Sequence, residues 1–274
     1  MSRLPRHTNI TAYFGSYLGP AKGSSNSLCQ LHLVMEFCGG GTLYDALNSG
    51  RAIEPMQRSR IATGIAAGLA AIHGRSPPIL HQDLSTNNVL LSADGEAKLA
   101  DFGLARLRAG SASFNTMHLR GTPHYMAPEV WEGTHITEKV DVYALGMVLY
   151  EIWAGAVPWA GARVNDIGKR VVRGERPSVR GVVPLSLAEI VPAAWAQLPA
   201  QRPTAASLST SLRARDASLR ALVECSLTAF ESTSTATMHQ LLRALGYPAE
   251  SGRPSQLHQA ARAALRAEGL ARFE

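Results

Sequence analysis

A nearly all-apolar segment, Thr137–Gly155, constrains the fold of this chain more than any other stretch of its sequence. Its most apolar part, Val142–Trp153, is short for a membrane span and is bracketed and broken by the charges of Asp141 and Glu151. A helix that is hydrophobic around its whole circumference has to be buried. The segment therefore predicts the central buried helix of a large domain, and we expect no membrane partner.

The length and composition set the class of protein. A chain of 274 residues suits one large domain, or one medium domain with a companion. Its 46% hydrophobic and 18% charged residues exclude a wholly disordered protein. Met1–Phe14 lacks the apolar core of a secretory signal, and the three cysteines show no disulfide or zinc spacing. We therefore expect a cytoplasmic protein, with the nucleus as the alternative.

The chain is basic, with a formal net charge of +6 and only four lysines among its 27 lysine and arginine residues. Such a charge could suit phosphate or nucleic acid. However, the arginines are scattered, with no run of five or six basic residues and no interleaved aromatic stripe. Nucleic acid is therefore not an expected partner.

Hydrophobic periodicity predicts further elements on both sides of the central helix. Asn9–Phe14 and Leu31–Phe37 are typical of two strands, and a loop rich in glycine and serine joins them as a hairpin. A buried helix begins near Pro55 and ends at Gly74. Other helices are predicted at Arg163–Arg173, Leu187–Gln197 and Thr204–Arg215, with three amphipathic helices in the last sixty residues.

Between Ile79 and Val130 the sequence is irregular and polar, which is typical of a functional region when it lies inside a compact domain. In order, this region contains His81–Leu84 (HQDL), Asn88, Asp101–Gly103 (DFG), Gly121–Pro123 and Ala127–Glu129 (APE). Each piece alone could arise by chance, but the ordered set is specific. The chain from about Arg6 to Arg213 resembles the carboxy-terminal part of a eukaryotic protein kinase.

The resemblance implies an α+β, protein-kinase-like fold. It would have a mainly α-helical large lobe, a truncated small-lobe β-hairpin and a helical C-terminal tail. Residues 1–38 would form the small-lobe remnant and hinge, residues 39–215 the large lobe, and residues 216–274 the helical extension.

The same resemblance assigns catalytic roles to Asp83, Asn88 and Asp101. Asp83 would accept the proton of the substrate hydroxyl, while Asn88 and Asp101 would supply hard oxygen ligands to Mg²⁺ during transfer from ATP. A lone aspartate or asparagine in a loop is more often a turn or cap residue, but that reading does not explain the whole set.

An ATP-binding role follows by resemblance for the second predicted strand and the segment after it. Met35 would guard the back of the adenine pocket, the backbones of Glu36 and Cys38 would pair with the adenine edge, and Leu90 would form the pocket floor. Ordinary strand packing is the alternative for these residues, and for Met35 and Leu90 both readings can hold.

Three buried charges are expected to have structural roles. Asp141 lies inside an apolar helix, where an unpaired charge is costly, so it would anchor the loop that carries Asp83. Glu129 and Arg202 match an ion pair that holds the substrate-side loop to the large lobe in the family.

The substrate class can be inferred from Gly121–Glu129, which is similar to the serine/threonine form of this segment. Gly41–Asp45 and the pattern that ends in Arg202-Pro203-Thr204 look most like the tyrosine-kinase-like group. Members of that group mainly phosphorylate serine and threonine, so the expected partner is a protein with a serine or threonine acceptor.

The sequence also departs from the family pattern. Nothing before the first predicted strand can be a glycine-rich phosphate loop or a V-A-I-K strand, and no lysine follows a V-A-I context. Gln82 replaces the usual arginine, and Ser85 stands where a lysine commonly lies near the transferred phosphate. The alternative is therefore a catalytically impaired, pseudokinase-like scaffold or binding module. A misplaced start at Met1, in a longer natural protein, would explain the missing elements more simply.

A hairpin without the rest of a small lobe has a folding consequence. Two strands alone are marginal in water and leave open edges. We expect Ile10, Tyr13, Leu33 and Phe37 to be uncovered on one face, so the chain should be sticky or should have a partner that covers this surface.

Overall fold

The computed structural model describes residues 4–20, 29–50, 52–107, 121–227, 234–245 and 254–268, in which short antiparallel strand pairs accompany a larger set of helices. The strands are β1 (Tyr13–Pro20), β2 (Cys29–Met35), β3 (Ile79–Leu80), β4 (Val89–Leu91), β5 (Ala97–Leu99) and β6 (Arg106–Leu107). The helices are α1 (Leu43–Asn48), α2 (Pro55–His73), α3 (Pro128–Trp131), α4 (Lys139–Ala154), α5 (Val164–Val172), α6 (Ile190–Ala194), α7 (Ala205–Leu227), α8 (Thr235–Ala244) and α9 (Pro254–Ala267). Short 3-10 helices lie at Thr86–Asn88, Phe102–Leu104, Pro123–Tyr125, Leu185–Leu187 and Pro199–Gln201.

Helix α4 is the central buried helix that the apolar segment predicts. Every residue from Val140 to Leu149 is buried, and α2 packs against α4 in the main core. Helix α2 begins with Pro55 in its first turn, where the missing N–H of proline costs nothing. None of the helices in the described ranges is long and apolar enough to cross a membrane.

The N-terminal segment before β1 packs against α2 and β5. The Thr11 backbone N–H donates to Leu99 O at 2.9 Å, and the Leu99 N–H donates to Asn9 O at 2.9 Å. A Cβ at Gly68 would lie 2.5 Å from Asn9 O, so glycine at this position permits the close approach. Ile10 is consequently only 3% exposed, and the expectation that it is uncovered is wrong.

Strand β1 (Tyr13–Pro20) lies later in the chain than the predicted Asn9–Phe14, whereas β2 (Cys29–Met35) begins and ends two residues before the predicted Leu31–Phe37. The strands are antiparallel, with Leu18 opposite Leu31 and an irregularity in register between Tyr13 and Gly15. Tyr13 is half-buried, whereas Leu33 is 48% exposed and Phe37 90% exposed. The exposed apolar surface predicted for the hairpin is therefore confirmed at Leu33 and Phe37.

The C-terminal helices do not divide where the sequence suggests. Separate helices are predicted up to Arg215 and from about Leu219, but α7 runs without a break from Ala205 to Leu227. This range contains no glycine or proline to end a helix. The end of α7 packs with α8 and α9 in a second apolar cluster that includes Leu222, Leu242 and Leu265.

A buried ion pair closes the C-terminal helices onto the rest of the fold. Glu268, the residue after α9, lies 2.5 Å from Arg215 of α7, and neither side chain is more than 5% exposed. Arg215 also donates to the Ser59 hydroxyl of α2 at 2.9 Å and lies over the Trp153 ring of α4. The last described helix is thus tied to both central helices.

Candidate active site

Asp141 organises the loop that begins at His81. Its two carboxylate oxygens accept the backbone N–H groups of His81 and Gln82, each at 2.8 Å, and Oδ2 also lies 2.8 Å from His73 Nε2. Burial acts to raise the pKa of Asp141, but the hydrogen bonds and charges of His73 and His81 outweigh it and hold the pKa below its usual range. The anchoring role expected for Asp141 is confirmed by these contacts.

The carboxylate of Asp83 is held from two sides. Asn88 Nδ2 donates to Asp83 Oδ2 at 3.0 Å and to the Asp83 backbone oxygen at 2.7 Å. On the other side, Asp83 Oδ1 accepts both the backbone N–H and the hydroxyl of Thr122, each at 2.9 Å. Both oxygens are therefore oriented before any ligand arrives.

Three residues at or near this site have positive backbone φ angles. Gln82 has φ 64° and Asp101 has φ 53°, a left-handed conformation that is uncommon for residues other than glycine. Gly121 has φ 108°, and a Cβ there would lie 2.9 Å from Gln82 O. Uncommon backbone conformations often occur at functional sites, where the surrounding structure holds them.

Asn88 and Asp101 lie at the two ends of the β4–β5 hairpin. Asn88 immediately precedes β4, Asp101 lies two residues after β5, and the Ala100 N–H donates to Asn88 O at 2.9 Å. His81 Nε2 also lies 3.0 Å from Ala100 O, and its ring contacts Phe102 at 4.9 Å between centroids. The segment that carries Asp101 is thus fastened to the loop that carries Asp83.

The side-chain oxygens of Asn88 and Asp101 fit a magnesium ion. The Asn88 amide nitrogen is used by Asp83, while its amide oxygen accepts no hydrogen bond among the described residues. The Asp101 side chain is exposed, and one of its oxygens accepts the Gly103 N–H at 3.1 Å. Within the described ranges no group of three His, Cys, Asp or Glu residues could hold a metal ion. Mg²⁺ would therefore take further ligands from water and nucleotide phosphates, as it commonly does.

Glu36 makes a side-chain ion pair next to the predicted adenine pocket. Its carboxylate lies 2.8 Å from Lys98 Nζ and accepts the Ala12 N–H at 3.1 Å. Lys98 Nζ also donates to Thr8 O at 2.9 Å. Burial acts to raise the pKa of Glu36, but the hydrogen bonds from Lys98 and Ala12 lower it overall.

The other predicted adenine-pocket residues are half-buried and lie in adjacent elements. Met35 ends β2, Cys38 follows it, and Leu90 is the middle residue of β4. Cys38 O accepts the Gly41 N–H at 3.3 Å, and Leu90 bridges to Thr42. Burial raises the pKa of the Cys38 thiol, which keeps it protonated.

A second buried carboxyl, which the sequence reasoning did not assign to the site, lies on α4. Glu151 is 1% exposed and accepts the Tyr125 hydroxyl at 2.5 Å and the Thr86 hydroxyl at 3.0 Å. Burial raises the pKa of Glu151, and it also raises the pKa of Tyr125. This network joins α4 to the loop between Asp83 and Asn88. Its sequence signal was a second acidic residue in an otherwise apolar helix.

The predicted Glu129–Arg202 ion pair is confirmed. The guanidinium lies 2.6 and 2.8 Å from the two carboxylate oxygens, in a bidentate arrangement. Arg202 is 2% exposed and also lies over the Tyr143 ring of α4. The pair fastens α3 to the segment after α6, away from the atoms of Asp83 and Asp101.

Comparisons with known proteins agree with this geometry. The model of the protein kinase domain family matches residues 1–247. The chain is 34% identical over 220 residues to the serine/threonine-protein kinase CTR1 of Arabidopsis thaliana, which covers 78% of this chain and 25% of that protein. It is 34% identical over 206 residues to a probable serine/threonine-protein kinase of Dictyostelium discoideum, covering 74% of this chain and 21% of that protein. A dual specificity protein kinase of the same organism, pyk3, is 30% identical over 208 residues, covering 75% and 14%. The chain thus spans about a quarter or less of the length of these relatives.

Proposed function

This chain belongs to the protein kinase domain family, and we propose that it transfers the γ-phosphate of ATP to a serine or threonine side chain of a protein. The observation that carries the proposal is the two-sided hold on Asp83 by Asn88 and Thr122, beside the exposed carboxylate of Asp101. Aspartates are also oriented in ordinary turns and helix caps, so the combination of Asp83, Asn88 and Asp101, rather than Asp83 alone, favours a catalytic role over a structural one.

In the proposed reaction, Asp83 orients the acceptor hydroxyl and takes its proton. The hydroxyl oxygen bonds to the γ-phosphorus as the bond from that phosphorus to the β–γ bridging oxygen breaks, and ADP leaves. Among the described residues, Asp83 Oδ2 accepts one hydrogen bond, from Asn88, whereas Oδ1 already accepts two from Thr122. We therefore assign the proton to Oδ2.

Asn88 and Asp101 would hold the magnesium ion through their side-chain oxygens. Bound Mg²⁺ neutralises charge on the phosphates and orients them for in-line transfer. The role of this chain is positioning, because the Ala100–Asn88 and His81–Ala100 hydrogen bonds set the separation of the two ligand residues.

The adenine of ATP would lie between the end of β2 and β4. Met35 would close the back, the backbones of Glu36 and Cys38 would pair with the adenine edge, and Leu90 would form the floor. The Glu36–Lys98 ion pair supports this proposal, because it directs the Glu36 carboxylate toward Lys98. The Glu36 backbone N–H donates to Ala12 O at 2.8 Å, so its carbonyl oxygen would be the backbone group that pairs with the adenine.

The proposed division of the chain follows its chemistry. Residues 1–38 would contribute the upper wall of the nucleotide site, residues 39–215 would contain the reacting groups, and residues 216–274 would form a helical extension. The continuity of α7 across residue 215 indicates that the extension is coupled to the lobe rather than linked flexibly.

Transfer of labelled phosphate from γ-labelled ATP to dephosphorylated casein tests the proposal. We expect phosphoserine or phosphothreonine in the product, and Asp83→Asn should lower kcat on the order of a hundredfold or more, because it removes the proton acceptor. Asp94→Asn, at an exposed position in the turn between β4 and β5, is the matched control and should leave kcat unchanged. Equal rates for wild type and Asp83→Asn would overturn the proposal.

A second candidate is a scaffold with weak or absent turnover. Ser85 favours it, because this buried side chain carries no cation near the proposed phosphate position and its hydroxyl has no hydrogen-bond partner within the described part of the chain. Thermal melting with Mg-ATP separates the candidates. A scaffold without a nucleotide site shows no shift, whereas a kinase shows a rise in Tm that Asp101→Asn abolishes.

A further inference from the structure

The surface beside the proposed acceptor site is basic. Six basic and two acidic side chains lie between residues 163 and 180, so this short segment carries a net charge of +4, against +6 for the whole chain. The segment contains α5, which buries Ile167, Gly168 and Val171 against the rest of the lobe. What α5 exposes is therefore the opposite face.

The cations of α5 share that exposed face. Arg163, Lys169, Arg170 and Arg173 are all exposed, and spacings of three and four residues place them on one side of the helix together with Asp166. We call these four basic residues the α5 basic face.

Most of this charge is not neutralised within the protein. Arg163, Lys169 and Arg173 have no carboxylate within 4.0 Å among the described residues. Arg170 has a long contact of 3.5 Å to Glu175, and both side chains are about half exposed. Pairs of this kind contribute little stability, so the cations remain available to an external partner.

A chain of contacts joins the α5 basic face to Asp83. Arg170 lies over the Trp159 ring, and the carbonyl of the preceding residue, Pro158, lies 2.7 Å from His124 Nδ1. His124 belongs to the 3-10 helix Pro123–Tyr125, which contacts α5 and directly follows Thr122. Because Thr122 holds the Asp83 carboxylate, a peptide with its hydroxyl at Asp83 would extend toward this face.

We propose that the α5 basic face binds an acidic segment of the protein substrate, which deepens and rests on the kinase function proposed above. Charge complementarity argues for carboxylate or phosphate groups on the partner. A protein segment fits better than a nucleic acid, because the face carries no exposed aromatic residues between its cations on which bases could stack.

Binding of two fluorescent peptides to the 274-residue chain tests the inference by anisotropy. Both peptides contain one serine, flanked by Asp and Glu in one and by Asn and Gln in the other. We expect the acidic peptide to bind at least tenfold more tightly, with an affinity that falls as NaCl is raised from 50 to 300 mM. Arg163→Glu/Lys169→Glu/Arg173→Glu should weaken it on the order of tenfold or more, and the corresponding triple glutamine variant by less.

The matched control reverses three exposed arginines elsewhere, Arg60→Glu/Arg75→Glu/Arg243→Glu, and should change the Kd less than twofold. Equal binding of the two peptides would overturn the inference. Equal losses of affinity in the α5 charge-reversal variant and in the control charge-reversal variant would also overturn it. The inference would also be overturned if a single-stranded oligonucleotide bound more tightly than the acidic peptide and if the α5 variants abolished that binding. The anisotropy requires no turnover, so acidic preference without phosphate transfer contradicts only the proposed kinase function. Transfer to casein by a chain without acidic preference contradicts only this inference.

Discussion

The β1–β2 hairpin and the lobe around α4 differ in how far their apolar side chains are exposed to solvent. In the lobe, Leu99 and Leu145 are fully buried, and even the charged Asp141 has a donor for each carboxylate oxygen. In the hairpin, Leu18 is 70% exposed and Phe37 90% exposed. The lobe therefore buries these apolar side chains and pairs the Asp141 carboxylate internally, whereas the hairpin exposes apolar side chains to solvent.

This difference indicates which region can fold without help. A two-stranded hairpin is marginal by itself, and its open edges can pair with other strands. The lobe supplies its own core, whereas the hairpin leaves large apolar side chains in solvent. The experiments below test this contrast, beginning with the largest expected effect.

The strongest test removes an internal charge partner in the lobe. Arg202→Met leaves Glu129 buried without its cation, so the free energy of unfolding should fall by about 3–5 kcal/mol. Arg170→Met, which breaks the half-exposed pair with Glu175, should cost less than about 1 kcal/mol. Urea denaturation followed by circular dichroism measures both, and similar losses would contradict the central role of the buried pair.

A matched pair of leucines compares the two regions directly. Leu99→Ala opens a cavity in a fully buried position and should lower the free energy of unfolding by about 2–5 kcal/mol. Leu18→Ala should change it by less than about 0.5 kcal/mol, because that side chain is already in water. If Leu18→Ala cost as much as Leu99→Ala, the hairpin would be packed rather than exposed.

The pH dependence of stability sharpens the account of buried charge in the lobe. Because burial raises the pKa of folded Glu151 above its ordinary value of 4.5, its contribution to stability is fully present below that pH and is lost as pH rises through the folded pKa. Glu151→Gln cannot ionise, so its unfolding free energy should gain on wild type as pH rises above about 4.5. The difference should stay within about 2 kcal/mol, since the glutamine keeps part of the hydrogen bonding.

Denaturation of both proteins between pH 4 and pH 8 provides the measurement. Glu96→Gln, an acidic side chain at the turn before β5, serves as the control and should track wild type across this range. If the unfolding free energy of Glu151→Gln instead fell relative to wild type as pH rises, the Glu151 carboxyl of the wild-type protein would be stabilised as the anion.

The smallest expected effect on stability comes from the hairpin surface itself. Leu18→Ser/Leu31→Ser/Phe37→Ser should change the free energy of unfolding by less than about 1 kcal/mol, because all three side chains are at least 60% exposed. The same variant should reduce self-association in sedimentation experiments, since it removes three exposed apolar side chains, two of which lie opposite each other in the hairpin. Leu185→Ser/Leu198→Ser, two exposed leucines of the lobe, controls for a general gain in solubility.

Local patterns in the sequence predicted the elements whose environment is uniform. The burial of α4 could be predicted without knowing its neighbours, because a helix without a polar face has to lie inside the protein. The resemblance to the kinase family, carried by HQDL, Asn88 and DFG, implied one site for Asp83, Asn88 and Asp101. In the structure, Asn88 contacts Asp83, and the Ala100–Asn88 hydrogen bond joins the segments of Asn88 and Asp101.

Contacts between distant residues could not be predicted in this way. Ile10 looked like an exposed strand residue, but its segment pairs with Leu99, and the two side chains of that contact are 89 positions apart. Thr122 and Glu151 contact the loop of Asp83 from 39 and 65 residues away, through hydrogen bonds that no periodicity encodes. The boundary predicted at Arg215 was wrong for a different reason: it followed the expected end of the lobe, although no glycine or proline interrupts α7 there.

The ion pair between Arg215 and Glu268 gives the far end of the chain an influence on its middle. A protease that detached α9 would remove the Glu268 carboxylate from the buried Arg215, and breaking a buried ion pair typically costs several kcal/mol. Ser59, which accepts a hydrogen bond from the same arginine, belongs to the helix that carries His73 to Asp141. Removal of the C-terminal helix would therefore affect the loop that holds Asp83, through Arg215 and α2.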